Sequence, residues 1–262
     1  MQSNISLLDS SLIEFQNVMV INQDPIKKNN SIKKNLENDI NWFDFDAIGL
    51  SKSRNMGIRL ATDEYIYLTD DDIVINENFD FEVNRAIKNN PDVDILAFQV
   101  GGIEKEYKSY KEKEKDINYL GSLQLSSVQL VMKKSFIMKH RLQYDESFGA
   151  GAKYKMGEEN IFLIDALRKG ARIKYVPIEI AKVHVGESSW FTGFNKEYFF
   201  NRGAIFERMF NKYSSLFSLI FCIRKHKLYK KEFSTFEAFK FTQEGRKDYL
   251  SNNPQSIQKA LF

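Results

Sequence analysis

Three consecutive carboxylates follow a short apolar segment in the first third of the chain. The segment Tyr65–Thr69 is aromatic and β-branched, as strands prefer, and Asp70, Asp71 and Asp72 come directly after it. Like charges in one turn raise one another's pKa and destabilise the turn unless a cation neutralises them. Hard divalent ions take such oxygen ligands, and open α/β sheets bind ligands where strands end. The pattern favours a metal site over the alternative, a solvated acidic turn.

A second pair of carboxylates opens a predicted helix. Glu158 and Glu159 follow Gly157, and the helical segment 160–169 ends in two basic residues. Acidic residues in a first turn and basic residues in a last turn each stabilise a helix by ~0.3–1 kcal/mol, so this helix needs no catalytic task. A carboxylate here can also accept the proton of an attacking hydroxyl. Both interpretations stay open on the residues alone.

The elements that must position these groups alternate along the chain. We predict a polar loop or short surface helix over residues 26–40, where the sequence reads IKKNNSIKKNLEND. The predicted helices are Leu7–Phe15, Ser53–Ala61, Phe79–Asn90 and Asn160–Lys169, and the predicted strands are Asn17–Asn22, Asn41–Phe45, Tyr65–Thr69, Asp94–Val100, Val128–Met132 and Arg172–Pro177. Such alternation predicts a parallel or mixed sheet between helices.

Composition bounds the class of protein. The chain has 262 residues, of which 43% are hydrophobic, enough for a sizeable core. Its one cysteine, Cys222, excludes an intramolecular disulfide framework and a cysteine-rich zinc site, which fits a reducing compartment. No secretory signal is visible, and the longest apolar run, Leu216–Ile223, is far shorter than the ~20 residues of a membrane-spanning helix. We therefore expect a cytoplasmic protein.

The last part of the chain is basic. From Phe191 onward there are 13 Lys and Arg against 6 Asp and Glu, and the remainder has 25 against 29. This asymmetry suggests a negatively charged partner, such as anionic lipid or a phosphate-bearing acceptor, although a solvated surface explains it equally well. In the tail, apolar residues at helical spacing precede a cationic cluster. The apolar residues are Leu216, Phe217, Ile220 and Ile223. They either dock the tail onto the catalytic domain or lie on an anionic membrane.

The order of these motifs resembles that of family 2 glycosyltransferases. Residues 49–72, GLSKSRNMGIRLATDEYIYLTDDD, resemble the family's Arg-Asn segment and the strand that runs into its Asp-x-Asp-like motif. Residues 144–170 resemble its acceptor side, with an Asp-Glu-x-Phe turn, a glycine-rich loop and a Gly-Glu-Asp-like motif that here reads Gly157-Glu158-Glu159. The resemblance covers roughly residues 17–190 and does not reach the tail.

The resemblance implies roles for the acidic turn. Asp70 would lie near the ribose or diphosphate of the donor, and Asp71 would be the metal ligand, with Asp72 as the competing choice. His184 would complete the metal shell, because the segment around it would return to the turn. The ion would be Mg²⁺ or Mn²⁺, and an imidazole ligand favours Mn²⁺.

The acceptor side is assigned in the same way. Glu159 corresponds to the catalytic base, and the family more often has Asp at that position, so the reach of this side chain differs by one methylene. Glu158 would bind the acceptor or hold the loop Gly149–Gly151, whose glycines allow close backbone approach. Gly151 is included among the acceptor-binding residues.

The donor side departs from the family. Arg54 and Asn55 occupy the Arg-Asn positions, and Arg54 would lie against the base or the diphosphate. Family members usually open with an apolar strand that forms one wall of the nucleoside pocket, and this sequence shows no such strand before Asn17. Asn22 and Gln23, at the end of the first predicted strand, become the donor-binding candidates. We expect the first strand to be missing or truncated and the donor pocket to be altered.

The sequence thus predicts an α/β protein of the GT-A type, with a mixed, mostly parallel sheet sandwiched by helices. Residues 1–190 would form the catalytic domain and residues 191–262 a helical basic extension. The expected reaction is inverting transfer from a nucleotide-sugar, a UDP-sugar, to a saccharide or lipid-linked saccharide in bacterial surface polysaccharide synthesis. The site would lie at the inner face of the membrane, with no nucleic-acid partner. A metal-dependent nucleotidyltransferase and a non-catalytic sugar-nucleotide-binding or scaffold protein are the alternatives.

Overall fold

The computed structural model describes most of the chain. It covers residues 17–24, 31–35, 40–71, 73–185 and 193–253, and for residues 31–35 it describes the backbone alone. Three sequence-based predictions fall outside this part of the chain: the helix Leu7–Phe15, the candidate ligand Asp72 and the domain boundary at residue 190.

The strands and helices that the hydrophobic pattern predicts occur in the expected order within the described residues, and three strands, Ser31–Asn35, Ile73–Ile75 and Lys115–Asp116, occur in addition. The strands are β1 (Met19–Gln23), β2 (Ser31–Asn35), β3 (Ile40–Phe45), β4 (Tyr65–Tyr67), β5 (Ile73–Ile75), β6 (Ile95–Gly102), β7 (Lys115–Asp116), β8 (Leu130–Lys133) and β9 (Ile173–Val183). The helices are α1 (Leu50–Leu60), α2 (Phe79–Asn89), α3 (Tyr119–Ser122), α4 (Lys134–His140), α5 (Glu158–Arg168), α6 (Lys196–Phe210), α7 (Ser214–Tyr229) and α8 (Thr235–Asn252).

One predicted element is wrong. Residues 31–35, which we expected in a loop or short surface helix, form β2 and pair antiparallel with β3, with Ser31 opposite Asp44 and Asn35 opposite Ile40. The polar composition of this segment gave no strand signal. Pairing with the edge of β3 satisfies its backbone and overrides the local preference.

The described strands form two sheets. One has three strands in the order β1-β3-β2, and the other has six, in the order β4-β8-β6-β9-β5 with β7 on β9. The mixed sheet between helices is confirmed, but the expectation of mostly parallel pairing is not met. Only β1–β3 and β6–β9 are parallel among the described pairs. β8 pairs antiparallel with both β4 and β6, and β5 and β7 pair antiparallel with β9.

The core lies on both faces of β6. Ile95 and Ala97 pack with residues of α1 and α5, whereas Leu96 and Phe98 pack with residues of α2. This alternation follows from the two-residue period of a strand, and it explains why β6 reads as a nearly continuous apolar run. Ile66 of β4 and Ile173 of β9 belong to the same core as residues of α1 and α5, and these two helices carry the candidate site.

The C-terminal helices pack against the acceptor-side helix α5. Helices α6 and α8 cross at two glycines: a Cβ at Gly203 would overlap the Thr242 carbonyl, and one at Gly245 would overlap the Phe200 carbonyl. The core shared by the loop before α5, α5 itself, α6 and α8 comprises Phe148, Tyr154, Ile161, Ile164, Ile205, Phe206 and Tyr249. The tail is therefore part of the support of the acceptor side.

Helix α7 does not have the orientation that the docking alternative predicts, in which its four apolar residues would pack against the rest of the protein. Leu216, Ile220 and Ile223 are exposed, and only Phe217 of the four predicted docking residues is partly buried, where its ring stacks on Phe210 at 4.0 Å between centroids. The buried side chains of α7 are Ser214, Ser218, Cys222 and Tyr229. In the part of the chain that the structure describes, no helix combines the length and apolarity needed to cross a bilayer.

Candidate active site

The start of α1 joins the donor-side strand to the acceptor-side loop. The Gly49 N–H donates to Gln23 Oε1 at 2.6 Å, and the Leu50 N–H donates to the Ala150 carbonyl at 2.9 Å. Gly49 has φ 138°, in the region that favours glycine. The end of β1 and the glycine-rich loop therefore meet at one helix N-terminus.

Polar side chains of α1 hold the acceptor-side turn. Asn55 donates to the Tyr144 carbonyl at 2.9 Å and accepts from the Tyr144 N–H at 2.8 Å, and it also donates to Glu146 at 3.1 Å. Ser51 donates to the Phe148 carbonyl at 2.6 Å. The structure thus places Asn55, a predicted donor-binding residue, against the acceptor turn. Its contact with the donor stays a prediction.

Arg54 brings the two predicted motifs together. Its Nη1 lies 3.1 Å from Glu158 Oε1 and 3.8 Å from Glu159 Oε1, and its Nη2 lies 3.7 Å from Asp70 Oδ1. The guanidinium also lies over the Tyr144 ring, 5.5 Å from its centroid, and the residue is buried. One cation therefore faces a donor-side carboxylate and both carboxylates of α5.

The two glutamates of this site differ in environment. The Glu158 side chain is 6% exposed and that of Glu159 24%. Burial, followed by the charge of Glu159, raises the pKa of Glu158 to about 7, and the charge of Arg54 opposes that rise. Because Arg54 stays charged, it compensates part of the negative charge that this corner of the site buries. Glu159 is the carboxylate that a ligand can reach.

The predicted glycine loop packs closely against this corner. Gly149 has φ 99°, and a Cβ there would lie 3.0 Å from Glu158 Cδ. Gly151 has φ 75°, and its Cβ would lie 3.1 Å from Ile48 Cγ2 and 3.2 Å from Gly49 Cα. Only glycines fit both the backbone conformation and the space. Glu158 and the loop therefore lie in direct contact, and acceptor binding by Gly151 stays a prediction.

The ends of β1 and β3 are tied by a residue that the sequence analysis missed. Asp44 Oδ1 accepts from Asn22 Nδ2 at 2.9 Å and from Trp42 Nε1 at 2.7 Å, and Asp44 is buried. Asn22 therefore orients a buried carboxylate beside Gln23 at the strand ends. The sequence held a signal, because Asp44 is an acidic residue near the end of the predicted strand Asn41–Phe45.

The acidic turn contributes oxygen donors at the end of β4. Asp70 is 46% exposed in its side chain, and Asp71 is exposed as well. Within the residues that the structure describes, no group of three or more His, Cys, Asp or Glu side chains could hold an ion. Mg²⁺ often takes one or two protein carboxylates and completes its shell with substrate phosphates and water. The donor set of this turn fits such an ion.

His184 lies near the same end of the sheet. Val183 pairs antiparallel with Ile73, so the chain before His184 returns to the acidic turn as expected. His184 Nδ1 lies 2.6 Å from Glu104 Oε1, and Glu104 Oε2 accepts from the Val185 N–H at 2.6 Å. The hydrogen bond with His184 lowers the pKa of Glu104 below its ordinary value. Metal binding by His184 stays a prediction, and Glu104 is a neighbour that the sequence analysis did not select.

A cavity of about 1230 Å³ opens beside the acidic turn. It lies between β1 and β4, with α1 and α2 as further walls, and its lining includes the donor candidates Asn22, Gln23, Arg54 and Asp70. Among the described strands none pairs with the outer edge of β1 or of β4. These four predicted donor-binding residues therefore line an open cleft between two sheet edges.

Arg208 of α6 supports the acceptor turn from the far side. It donates to Asp145 at 2.8 Å through Nε and to Asp165 at 2.6 Å through Nη2, and these contacts join the turn to α5. The sequence analysis missed Arg208 because the family resemblance does not reach the tail. A lone arginine in an amphipathic helix gives no signal of its partners.

Comparison with known proteins agrees with this geometry. The family model described as Glycosyl transferase family 2 matches residues 32–172. Crystal structures of S. aureus TarS residues 1–349, alone and in complex with UDP, resemble the chain with TM-scores of 0.56 and 0.55 at 14% identity, over 87% of this chain and 67% of theirs. A crystal structure of S. aureus TarS gives a TM-score of 0.58 at 14% identity over 97% of this chain and 45% of that one. At this identity the likeness shows the fold alone. No curated protein matches the sequence.

Proposed function

Because the chain belongs to glycosyl transferase family 2, we propose that it moves one sugar, with inversion, from a nucleoside-diphosphate donor to a saccharide hydroxyl. The observation that carries this proposal is the meeting of Asp70, Glu158 and Glu159 around the Arg54 guanidinium. A transferase must hold a donor and an acceptor within bonding distance. Here the donor-side turn and the acceptor-side helix converge on one side chain.

Glu159 is the residue we assign as the catalytic base. It is the more exposed of the two glutamates and begins α5 next to Glu158. In the proposed step Glu159 accepts the proton of the acceptor hydroxyl, whose oxygen forms a bond to the anomeric carbon. The bond between that carbon and the diphosphate oxygen breaks, and the diphosphate leaves with its electron pair. Attack from the face opposite the leaving group inverts the carbon.

Glu158 and Arg54 position this base. Glu158 lies against Gly149, so it fixes the loop that we assign to the acceptor. Arg54 lies within 4 Å of both glutamates and keeps their carboxylates side by side in spite of their repulsion. The same side chain faces Asp70. A shift of the donor turn would therefore change the position of Arg54 and, through it, of the acceptor carboxylates.

We assign the divalent ion, Mg²⁺ or Mn²⁺, to Asp71, with Asp72 as the competing ligand and His184 as a further candidate ligand. When bound, such an ion stabilises the negative charge of the departing diphosphate as a Lewis acid. Asp70 and Arg54 would contact the donor at the rim of the cleft, with Asn22 and Gln23 on the opposite wall. A cation held at the turn would also relieve the repulsion between its neighbouring carboxylates.

The donor we propose is a UDP-sugar, and the acceptor is a saccharide or lipid-linked saccharide of the bacterial cell surface. Support for UDP comes from the similar fold of S. aureus TarS, which has been crystallised in complex with UDP. The basic tail fits an acceptor that carries phosphate, at the cytoplasmic face of the membrane.

The test is turnover of UDP-sugars by the purified chain with Mg²⁺, with Mn²⁺ and with a chelator. We expect metal-dependent release of UDP that a mixture of bacterial surface saccharides accelerates, and loss of this activity in Glu159→Gln. If the chain binds UDP but releases none from UDP-sugars under any of these conditions, the result would instead support the scaffold alternative. The open cleft between β1 and β4 is the observation that favours this alternative. Pyrophosphate release from UTP and a sugar phosphate would support a nucleotidyltransferase.

A further inference from the structure

Helix α7 buries two serines, Cys222 and Tyr229, and exposes its leucines and isoleucines. Its exposed apolar residues are 39–59% exposed, and there are five of them: Leu216, Leu219, Ile220, Ile223 and Leu228. The residues that it buries include Ser214 and Ser218. A helix that only docks onto a protein core shows the opposite arrangement. The outer face of α7 therefore needs an explanation other than packing within the described chain.

Four of these five residues form one continuous stripe. At 3.6 residues per turn, positions 216, 219, 220 and 223 fall on one side of α7, and positions 214, 218 and 222 on the other. Lys227 continues the stripe one turn further along, and Lys230 follows at the end of the helix. Between residues 214 and 231 the sequence has five basic residues and no acidic one: Arg224, Lys225, Lys227, Lys230 and Lys231. Of these five, Lys227 and Lys230 lie on the stripe, and we call the surface formed by the four apolar residues of the stripe with Lys227 and Lys230 the α7 face.

The inner side of α7 is firmly fixed, so the α7 face is already formed. Tyr229 donates to the Cys222 carbonyl at 2.6 Å, and the Phe199 ring packs on Tyr229 at 4.8 Å between centroids. Ser215 lies 2.9 Å from Gln243 of α8. A partner therefore meets an ordered helix and does not have to pay for folding it.

We propose that the α7 face is a site of peripheral contact with an anionic membrane surface. A helix of this kind lies in the plane of the interface, with its apolar residues among the upper acyl chains and its basic residues at anionic headgroups. The apolar half and the basic half of the α7 face supply these two parts in sequence along one side of the helix. The proposal is independent of the chemistry of the candidate active site, because none of its residues belongs to that site.

Charge favours a membrane over a second copy of the chain. A two-fold dimer places the same surface against itself. If two α7 helices met in parallel, Lys227 and Lys230 would face their own copies; if they met antiparallel, these lysines of each would cover the apolar residues of the other. Like-charge contacts and buried lysines both disfavour association, whereas an anionic lipid surface suits the basic half directly.

The test is sedimentation of the purified chain with vesicles of phosphatidylglycerol and phosphatidylcholine, compared with phosphatidylcholine alone. Wild type should bind the anionic vesicles at least about tenfold more, and salt should weaken the binding because it screens the headgroup charge. The double variant Leu216→Gln/Ile223→Gln should lose binding at low salt as well as at high salt. The double variant Lys227→Gln/Lys230→Gln should lose the preference for anionic vesicles. All variants should keep the thermal midpoint of wild type, since these side chains are exposed.

Matched controls lie on other helices. Leu120 and Met138 are also exposed apolar residues, and Lys88 and Lys139 are exposed lysines. Leu120→Gln/Met138→Gln and Lys88→Gln/Lys139→Gln should bind like wild type. Failure of wild type to sediment with anionic vesicles at low salt would overturn the proposal, and so would equal losses in the control variants. A concentration-dependent dimer, seen by ultracentrifugation and lost in Leu216→Gln/Ile223→Gln, would assign the α7 face to a second copy instead.

Discussion

The acceptor side and the donor side of the candidate site use the same acidic residue types but hold them differently. On the acceptor side, Glu158 is buried against Arg54, and Asp145 is bonded to Arg208. On the donor side, Asp70 and Asp71 lie on an exposed turn beside an open cleft of about 1230 Å³. The protein itself fixes the acceptor carboxylates. The donor turn has the exposure of a surface that a ligand and an ion complete.

The largest expected effect is on the stability of the acceptor side. At pH 8, where Glu158 is ionised in wild type, Arg54→Met should lower the free energy of unfolding by about 3–5 kcal/mol, because it leaves the buried Glu158 without its cation. The double variant Arg54→Met/Glu158→Gln should recover much of this loss, since it removes the unpaired charge. Urea unfolding of the single and the double variant measures the loss of stability and its recovery. Equal stability of the single and double variants would mean that Arg54 acts through packing on Tyr144 alone.

The second effect separates the two glutamates in catalysis. Glu159→Gln should keep donor affinity and lower turnover by at least ~10²-fold, the usual loss for a missing general base. Glu158→Gln should mainly raise the KM for the acceptor, because Glu158 lies against the glycine loop. Initial rates at varied acceptor concentration distinguish them. Small and equal losses of activity in both variants would indicate that the two glutamates only stabilise the start of α5.

The third effect is a pH dependence that belongs to the acceptor side. The pKa of Glu158 is raised in the folded chain to about 7 from an ordinary value of 4.5. The folded state therefore binds this proton more tightly than the unfolded state does, so stability from this group is full at low pH and falls as pH rises to about 7. The loss is on the order of 1–3 kcal/mol.

The measurement compares wild type with Glu158→Gln by urea unfolding between pH 5 and 8. Other titrating groups are common to both proteins, so the difference isolates Glu158. The variant should gain on wild type as pH rises and then level off above about pH 7. A constant difference across this range would show that Glu158 is ionised throughout.

The contrast between the two sides also explains what the sequence could predict. The acidic turn, the Gly-Glu-Glu start of α5 and the alternation of strands and helices are local patterns, and they were found. The contact of Arg54 with Glu158 joins residues 104 positions apart, and a sequence without an alignment carries no signal of such a pair. The strand β2 was missed for the same reason, because its pairing with β3 outweighs its polar composition.

The C-terminal helices show the limit of periodicity as evidence. The apolar residues of α7 have helical spacing, which identified the helix correctly but did not tell its buried face from its exposed one. Close crossing of α6 and α8 at Gly203 and Gly245 fixes how this helical layer packs. No pattern along a single helix shows which of its faces will be buried, since this depends on which neighbouring helix supplies the better-fitting surface.

The smallest effect on stability is expected on the donor side. Asp71→Asn should change the free energy of unfolding by less than ~1 kcal/mol, because Asp71 is exposed and the substitution removes one charge from a repulsive turn. The same variant should lose the metal-dependent part of UDP binding, measured by calorimetry with and without Mn²⁺, while Asp46→Asn, at an exposed aspartate after β3, serves as a control that keeps it. A variant that is as stable as wild type but no longer responds to Mn²⁺ is what a turn built for a ligand predicts. Unchanged UDP affinity in the presence of Mn²⁺ would move the ion to Asp72 or remove it from the mechanism.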